Sequence, residues 1–117
     1  MKYLAWLDKT LAAKLAEQPI GRPVFLRATL QLTADHGRLR QVAEEIIRLA
    51  SGWMNSTTAA THWQGGPADG HLAAMVTFAQ GQSALISSEL THGDEPTVDL
   101  LLMGQHGAIR FTDIVLE

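Results

Sequence analysis

The five histidines are the side chains best suited to binding a metal or moving a proton near neutral pH. They are His36, His62, His71, His92 and His106, and no two of them are four residues apart. The sequence therefore has no helical metal-binding pair of the H-E-x-x-H kind. His62 and His71 can approach each other across a predicted hairpin, but no third ligand is specified, so we predict no metal site.

The sequence also lacks the motifs of nucleophilic catalysis and of phosphate binding. It contains no cysteine, which excludes thiolate nucleophiles, cysteine zinc sites and disulfides. No serine stands in a G-x-S-x-G motif, and the glycine pairs 65–66 and 104–107 do not lie between a strand and a helix. We predict that Gly104 and Gly107 are turn residues with positive φ angles. No catalytic residue follows from these motifs.

Composition sets the broad class of the protein. The chain has 117 residues, of which 46% are hydrophobic and 18% charged, a balance typical of one globular domain over residues 1–117. The net charge of −3 divides into +3 over residues 1–50 and −6 over residues 51–117. Because basic and acidic residues are interleaved, we predict no nucleic-acid partner. Because no apolar run approaches about 20 residues, we predict no membrane partner and a cytoplasmic location.

Two helices are predicted from apolar residues at helical spacing. The first spans about residues 2–18 of an N-terminal helical segment, 1–20, and ends at Pro19 and Gly21. The second spans about residues 37–51 and has one apolar face, with Gly52 as its C-cap. Trp6 lies on the far side of the first helix, where it either makes a second contact or folds back onto the domain.

Alternating apolar and polar residues predict the strands. The first covers residues 24–32, with Val24 and every second residue after it pointing towards the core. Further strands are predicted over residues 55–63, 71–79, 83–90, 97–103 and 108–116, and residues 64–70 form a turn. The expected fold is α+β, a mostly antiparallel sheet of about five to six strands with two helices covering one face. The later strands are expected to form an antiparallel meander.

Four segments together resemble the C-terminal domain of the Gfo/Idh/MocA oxidoreductases, the glucose-fructose oxidoreductase and inositol dehydrogenase group. Residues 20–26 are similar to the strand that enters this domain, and residues 37–52 to its glycine-leucine helix that ends in glycine. Residues 72–84 are similar to paired strands around a glycine turn, and residues 98–111 to a closing hairpin with a G-x-x-G turn. The order and spacing of these segments carry the resemblance, which covers nearly the whole chain.

The resemblance implies an oxidoreductase fold without the family's catalytic groups. In the family, the dinucleotide-binding fingerprint and the catalytic lysine lie in an N-terminal domain. We therefore expect this chain alone to bind no cofactor, and NAD(P) to bind only through a partner domain. The family helix presents an aspartate, a histidine and a second aspartate to the cofactor, and the matching positions here are Gln41, Glu45 and Arg48. Together with Trp6, these residues are either a candidate ligand or partner face, or a solvated face with a Glu44–Arg48 ion pair.

The leading hypothesis is a non-catalytic binding or assembly module derived from such a domain, not an enzyme on its own. The family commonly dimerises through the open face of this sheet, so the resemblance implies a homodimer. The candidate dimer-face residues are Phe25, Arg27, Thr29, Ala73, Met75, Thr77, Asp99, Leu101 and Arg110. Two alternatives stay open. One is a subunit or fragment of a split NAD(P)-dependent oxidoreductase whose nucleotide-binding domain is on another chain. The other is a small-molecule carrier.

Overall fold

The computed structural model describes residues 2–33, 38–66, 70–91 and 97–114 and confirms the predicted α+β fold. Within these residues, no helix is long and apolar enough to cross a membrane. The elements are α1 (Lys2–Glu17), β1 (Pro23–Thr33), α2 (Arg38–Met54), β2 (Thr58–Gly66), β3 (His71–Phe78), β4 (Ser83–Thr91), β5 (Thr97–Gly104) and β6 (Gly107–Ile114).

The strands form one six-stranded sheet in the order β2-β3-β4-β1-β5-β6. β1 pairs in parallel with β4 and antiparallel with β5, and the remaining neighbours are antiparallel. The expectation of an uninterrupted antiparallel meander was wrong, because β1 lies between β4 and β5. A parallel pair needs a long crossover connection, and here the path through α2, β2 and β3 supplies it. The strand with the clearest alternation is thus placed at the centre of the sheet.

One face of the sheet carries the hydrophobic core and both helices. Helix α2 lies over β4, β3 and β1, and α1 packs beside α2. Alternate residues of the central strands meet the leucine stripe of α1 and the apolar face of α2. The largest fully buried side chains are Leu7, Leu11, Leu26, Leu30, Leu39, Ile46, Met54, Leu72, Phe78, Ile86, Leu100 and Leu102.

Helix α2 continues past Gly52, so the prediction that this glycine caps it was wrong. The helix ends at Met54, and Asn55 adopts the left-handed conformation with a φ of 51°. Asparagine tolerates this conformation better than most residues. The buried Gln82 amide donates to the Met54 carbonyl at 3.1 Å, which satisfies one of the carbonyl groups that a helix end leaves without a helical partner.

Two predicted strand boundaries also shift. β2 extends to Gly66 through residues that were predicted as a turn, with Gly65 at a φ of 79°. Val24 was expected to face the core but is 40% exposed. The reason is a register irregularity between Pro23 and Phe25 where β1 pairs with β5, which resets the alternation before Leu26.

The connection from α1 to β1 is held against the β5–β6 turn. The His106 amide donates to the Ile20 carbonyl at 2.7 Å, and the Gln105 amide donates to the Arg22 carbonyl at 3.1 Å. A Cβ atom on Gly104 would overlap the Ile20 carbonyl oxygen. The positive φ predicted for Gly104 and Gly107 was wrong. Gly104 is needed for close approach of two backbone segments, not for a left-handed conformation.

Candidate functional site

A small groove lies between the two helices. Its cavity volume is about 230 Å³, and its walls are Leu4, Ala5, Asp8, Glu45, Arg48 and Leu49. Leu4 and Leu49 are buried and supply apolar walls from the core-facing side of each helix, and three charged groups also line the groove. Two of the residues predicted as a ligand or partner face, Glu45 and Arg48, are therefore brought together here with Asp8, which the sequence did not single out.

The charged groups of this groove are already paired. The Arg48 guanidinium donates to Glu45 through Nη2 at 2.8 Å and through Nε at 3.1 Å. This hydrogen bond and the charges of Glu45 and Asp8 raise the pKa of Arg48 above its ordinary value. The predicted Glu44–Arg48 pair was wrong, because Glu44 accepts from Arg40 Nε at 2.8 Å. Arg40 stacks 3.7 Å from the centre of the Trp63 ring, which holds its guanidinium near Glu44.

Asp8 also ties the two helices together. Its Oδ1 accepts a hydrogen bond of 2.8 Å from Trp53 Nε1 near the end of α2. The Trp53 ring packs against the core while remaining half-buried. A half-buried tryptophan keeps its N–H at the surface, where it needs an acceptor. Asp8 is four residues after the core residue Leu4 on α1, and this spacing was the sequence signal that Asp8 lies near the contact between the helices.

Gln41 and Trp6 are not assembled with the groove. Gln41 is exposed one turn before Glu45 on the same face of α2. Trp6 is 43% exposed on α1. Because Trp6 is two residues before Asp8, the two side chains point to different sides of the helix. Of the four predicted residues, Glu45 and Arg48 thus line the groove, whereas Gln41 lies beside it and Trp6 lies on another side of α1.

The open face of the sheet, which points away from the helices, brings the other predicted set together. Strand register aligns Met75, Leu85, Arg27, Leu101 and Arg110 in one row across β3, β4, β1, β5 and β6. Met75 is 55% exposed, and no open-face residue of residues 23–33, 58–66, 71–78, 83–91 and 97–110 is buried. The row contains three apolar side chains and two arginines, whose stems can also cover apolar surface.

Adjacent rows complete this face. One contains Ala73, Thr29 and Asp99, and the other contains Thr77, Phe25 and Met103. All the residues predicted for the dimer face therefore lie on the open face. The sequence did not single out Leu85 and Met103, although the alternation of β4 and β5 places both on the open face.

The open face carries an ion pair between Arg110 and Asp99. Arg110 donates to both carboxylate oxygens of Asp99, at 3.3 Å through Nε and 3.1 Å through Nη2. The hydrogen bond from Arg110, helped by the charge of Arg27, holds the pKa of Asp99 below its ordinary value. The same contact raises the pKa of Arg110. Bidentate geometry fixes both side chains across β5 and β6.

The described histidines do not converge. His62 is opposite Met75 in the β2–β3 ladder, whereas His71 is opposite Gly66, so the two histidines that could have approached across this hairpin are not cross-strand neighbours. The exposed His106 lies in the β5–β6 turn, while His36 and His92 are outside the described residues. Among the residues described, no group of three histidine or carboxylate side chains is arranged to hold a metal ion.

A second cavity of about 400 Å³ lies below the end of α2 and offers only neutral groups. Its walls are Ser51, Gly52, Asn55, Ser56, Thr57, Ala79 and Gln80. The hydroxyl of Ser51 donates to the Ser56 carbonyl at 2.6 Å, and the Ser56 hydroxyl accepts from the backbone amide of Gln80 at 3.2 Å. These groups mainly satisfy one another, so this cavity has no evident ligand chemistry.

Comparison with known proteins identifies the fold. No protein-family model matches the chain, and no curated protein matches it. A probable dehydrogenase from Thermotoga maritima matches with a TM-score of 0.73 at 16% identity, over 88% of this chain and 37% of that chain. Myo-inositol 2-dehydrogenase from Lactobacillus plantarum gives 0.69 at 13% identity, over 93% of this chain and 40% of that chain.

A third similar structure is myo-inositol dehydrogenase from Lactobacillus casei in complex with NAD(H) and myo-inositol. It gives a TM-score of 0.67 at 16% identity, over 89% of this chain and 35% of that chain. This chain thus spans 35–40% of the length of the three dehydrogenases. At such low identity the likeness establishes the fold alone. The chain has the fold of the C-terminal domain of the Gfo/Idh/MocA oxidoreductases, which its sequence resembles.

Proposed function

We propose that this chain is a non-catalytic binding and assembly module that forms a homodimer through the open face of its sheet. The observation that carries the proposal is the contrast between the two sheet faces. One is covered by the helices, and the other has no buried residue among the strand residues up to 110 whose burial the structure describes. A cytoplasmic location stays a prediction alongside it.

The size of the open face suits such a contact. Six strands about 4.8 Å apart, each about eight residues long, give a face of roughly 24 by 26 Å. A standard interface uses roughly 800 Å² of accessible surface from each partner, which is comparable. Met75, Leu85 and Leu101 supply apolar area near the centre, where Arg27 lies between the two leucines. The paired charges at Asp99 and Arg110 lie towards the β6 edge, and interfaces commonly combine apolar contacts with such polar groups at the rim.

A single charge at the centre of the face tests the dimer. Leu101→Asp places a carboxylate between Arg27 and Arg110, so one chain tolerates it, whereas a sheet packed on top would bury it. We expect light scattering after size-exclusion chromatography to show a wild-type dimer and a Leu101→Asp monomer at the same high-micromolar concentration. Gln41→Asp adds the same charge on the exposed surface of α2 and is expected to remain dimeric. A monomeric wild type would refute the proposal.

The second candidate is a subunit that meets a nucleotide-binding chain at the groove between α1 and α2. It is favoured by the similarity to part of a dehydrogenase solved with NAD(H) and by the charged mouth formed by Asp8, Glu45 and Arg48. The test is to purify the tagged chain from its source and to measure NAD(H) in the eluate by fluorescence. Arg48→Ala is expected to remove the cofactor signal, and Arg40→Ala, a matched change on the same helix, is expected to retain it. No cofactor with the wild-type chain would refute this candidate.

A further inference from the structure

The two edges of the sheet differ in how they are protected. Exposed strand edges present unpaired backbone N–H and C=O groups, and natural proteins usually shield them with charges or proline. The edge strand β6 contains Arg110 and Asp113. The edge strand β2, with the sequence TAATHWQGG, contains no charged residue and no proline. None of its nine residues is buried.

A regular segment at the centre of β2 can accept another strand. The ladder with β3 is continuous from Ala60 to Gly66 after an irregularity between Thr58 and Ala60. Gly65 has a positive φ, so residues 60–64 are the regular part. In an antiparallel edge strand, alternate residues direct their backbone N–H and C=O groups away from the sheet, and another strand can match this pattern.

The side chains of this segment carry no fixed charge, and that of Trp63 is held in place. Trp63 is half-buried on the helix side, where the Arg40 guanidinium lies 3.7 Å from its ring centre. His62 is exposed on the open face. Two copies of the segment placed antiparallel about His62 would set Thr61 opposite Trp63, a favourable pairing of a β-branched and an aromatic residue. No like fixed charges would face each other.

We propose that the β2 edge pairs with the β2 edge of a second copy of this chain, antiparallel and centred on His62. The two-fold axis is perpendicular to the sheet, so both pairs of helices lie on one side and the open faces are continuous. Such an isologous contact closes after two copies. It is separate from packing through the open face and does not depend on it.

The experiment first removes the open-face contact and then places a positive charge on the β2 edge. In the Leu101→Asp background, His62→Lys sets two ammonium groups directly opposite each other at the proposed axis, where like charges are destabilising. His71→Lys makes the same exchange at an exposed histidine of β3, which is inside the sheet. Sedimentation velocity over a concentration series measures the dimer dissociation constant, and circular dichroism verifies that each variant is folded.

We expect the Leu101→Asp chain, which is a monomer at high-micromolar concentration, to form a weak dimer as its concentration approaches the millimolar range. His62→Lys is expected to weaken this dimer at least about tenfold, and His71→Lys to leave it unchanged. A Leu101→Asp chain that stays monomeric at every concentration overturns the edge contact, as do equal effects of the two lysines or growth into polydisperse aggregates. Failure of the face dimer is seen separately, as an unchanged association constant between wild type and Leu101→Asp.

Hydrogen exchange gives a second measurement that needs no substitution at the edge. Amides of residues 60–64 are expected to gain protection in the Leu101→Asp chain as its concentration rises, while those of β6 do not. Equal exchange of the 60–64 amides at low and high concentration contradicts the proposal.

Discussion

Neighbouring residues on β5 show how different the two faces of the sheet are. Leu100 points into the helix-covered face and is fully buried, whereas Leu101 points to the open face and is half-buried. The same residue type in the same strand thus stabilises the single chain in one case and is available for an intermolecular contact in the other. The fold of one chain requires the covered face, and the open face is where a second function can be placed.

Truncating these two leucines gives the largest expected difference. Leu100→Ala removes buried volume from a filled core and is expected to lower the free energy of unfolding by about 3 kcal/mol. Leu101→Ala removes contacts from a half-buried side chain and is expected to cost about 0.5 kcal/mol in the monomer. Urea unfolding at low concentration, where the chain is monomeric, measures both. Equal losses would mean that the open face is also part of the folding core.

The close approach at Gly104 gives the next largest effect. A Cβ atom there would overlap the Ile20 carbonyl oxygen and lie 2.8 Å from Ile20 Cγ1. We expect Gly104→Ala to destabilise the chain by about 2 kcal/mol because the backbone segments must separate. At Gly107 a Cβ atom would lie 3.7 Å from Ile20 Cγ2, an ordinary contact. Gly107→Ala in the same turn is therefore the control, and its melting temperature is expected to stay close to that of wild type.

The covered face was largely predictable from the sequence because periodicity reports burial. The leucine spacing of α1 and the alternation of β1 and β3 predicted most of the core correctly. The Gly52 cap was misplaced because glycine can be tolerated in an exposed helix, and the stop signal came instead from Asn55 and from the distant Gln82. Such a hydrogen bond between residues far apart in the chain cannot be predicted from the local sequence.

The order of the strands and the partners of the charged residues were not predictable in the same way. The position of β1 between β4 and β5 depends on long-range pairing. Glu44 pairs with Arg40 because the Trp63 ring, which belongs to β2, holds the Arg40 guanidinium in place. The open-face residues were grouped correctly because side chains alternate between the two faces along each strand, and residues paired across neighbouring strands lie on the same face.

The Trp53–Asp8 hydrogen bond at the border of the covered face is expected to have a smaller effect. Trp53→Phe keeps an aromatic ring against the core but loses the 2.8 Å bond that joins the two helices. We expect a loss of about 1 kcal/mol in thermal or urea unfolding. In an Asp8→Ala background the same substitution should cost little more, because the acceptor is already gone. An equal loss in both backgrounds would assign the effect to ring packing instead.

The ion pair of the open face has the smallest expected effect on the single chain, and pH reveals it. Arg110 lowers the pKa of Asp99 in the folded chain, so the pair stabilises the fold above the ordinary aspartate pKa of about 3.9. This stabilisation is lost as the pH falls through the lowered folded value. We expect Asp99→Asn to melt slightly below wild type at pH 7. The two melting temperatures should converge as the solution is acidified below pH 3.9.

The partner of Asp99 provides the control for this titration. In an Arg110→Met background the guanidinium that causes most of the pKa shift is absent, so Asp99→Asn should change the melting temperature by less at pH 7. High salt should also shrink the wild-type difference, because an exposed pair is screened. A difference between Asp99→Asn and wild type that is the same at pH 7 and at low pH would show that the carboxylate charge is not the cause. In that case the open face would stabilise the monomer through packing, and the contrast with the covered face would be one of degree.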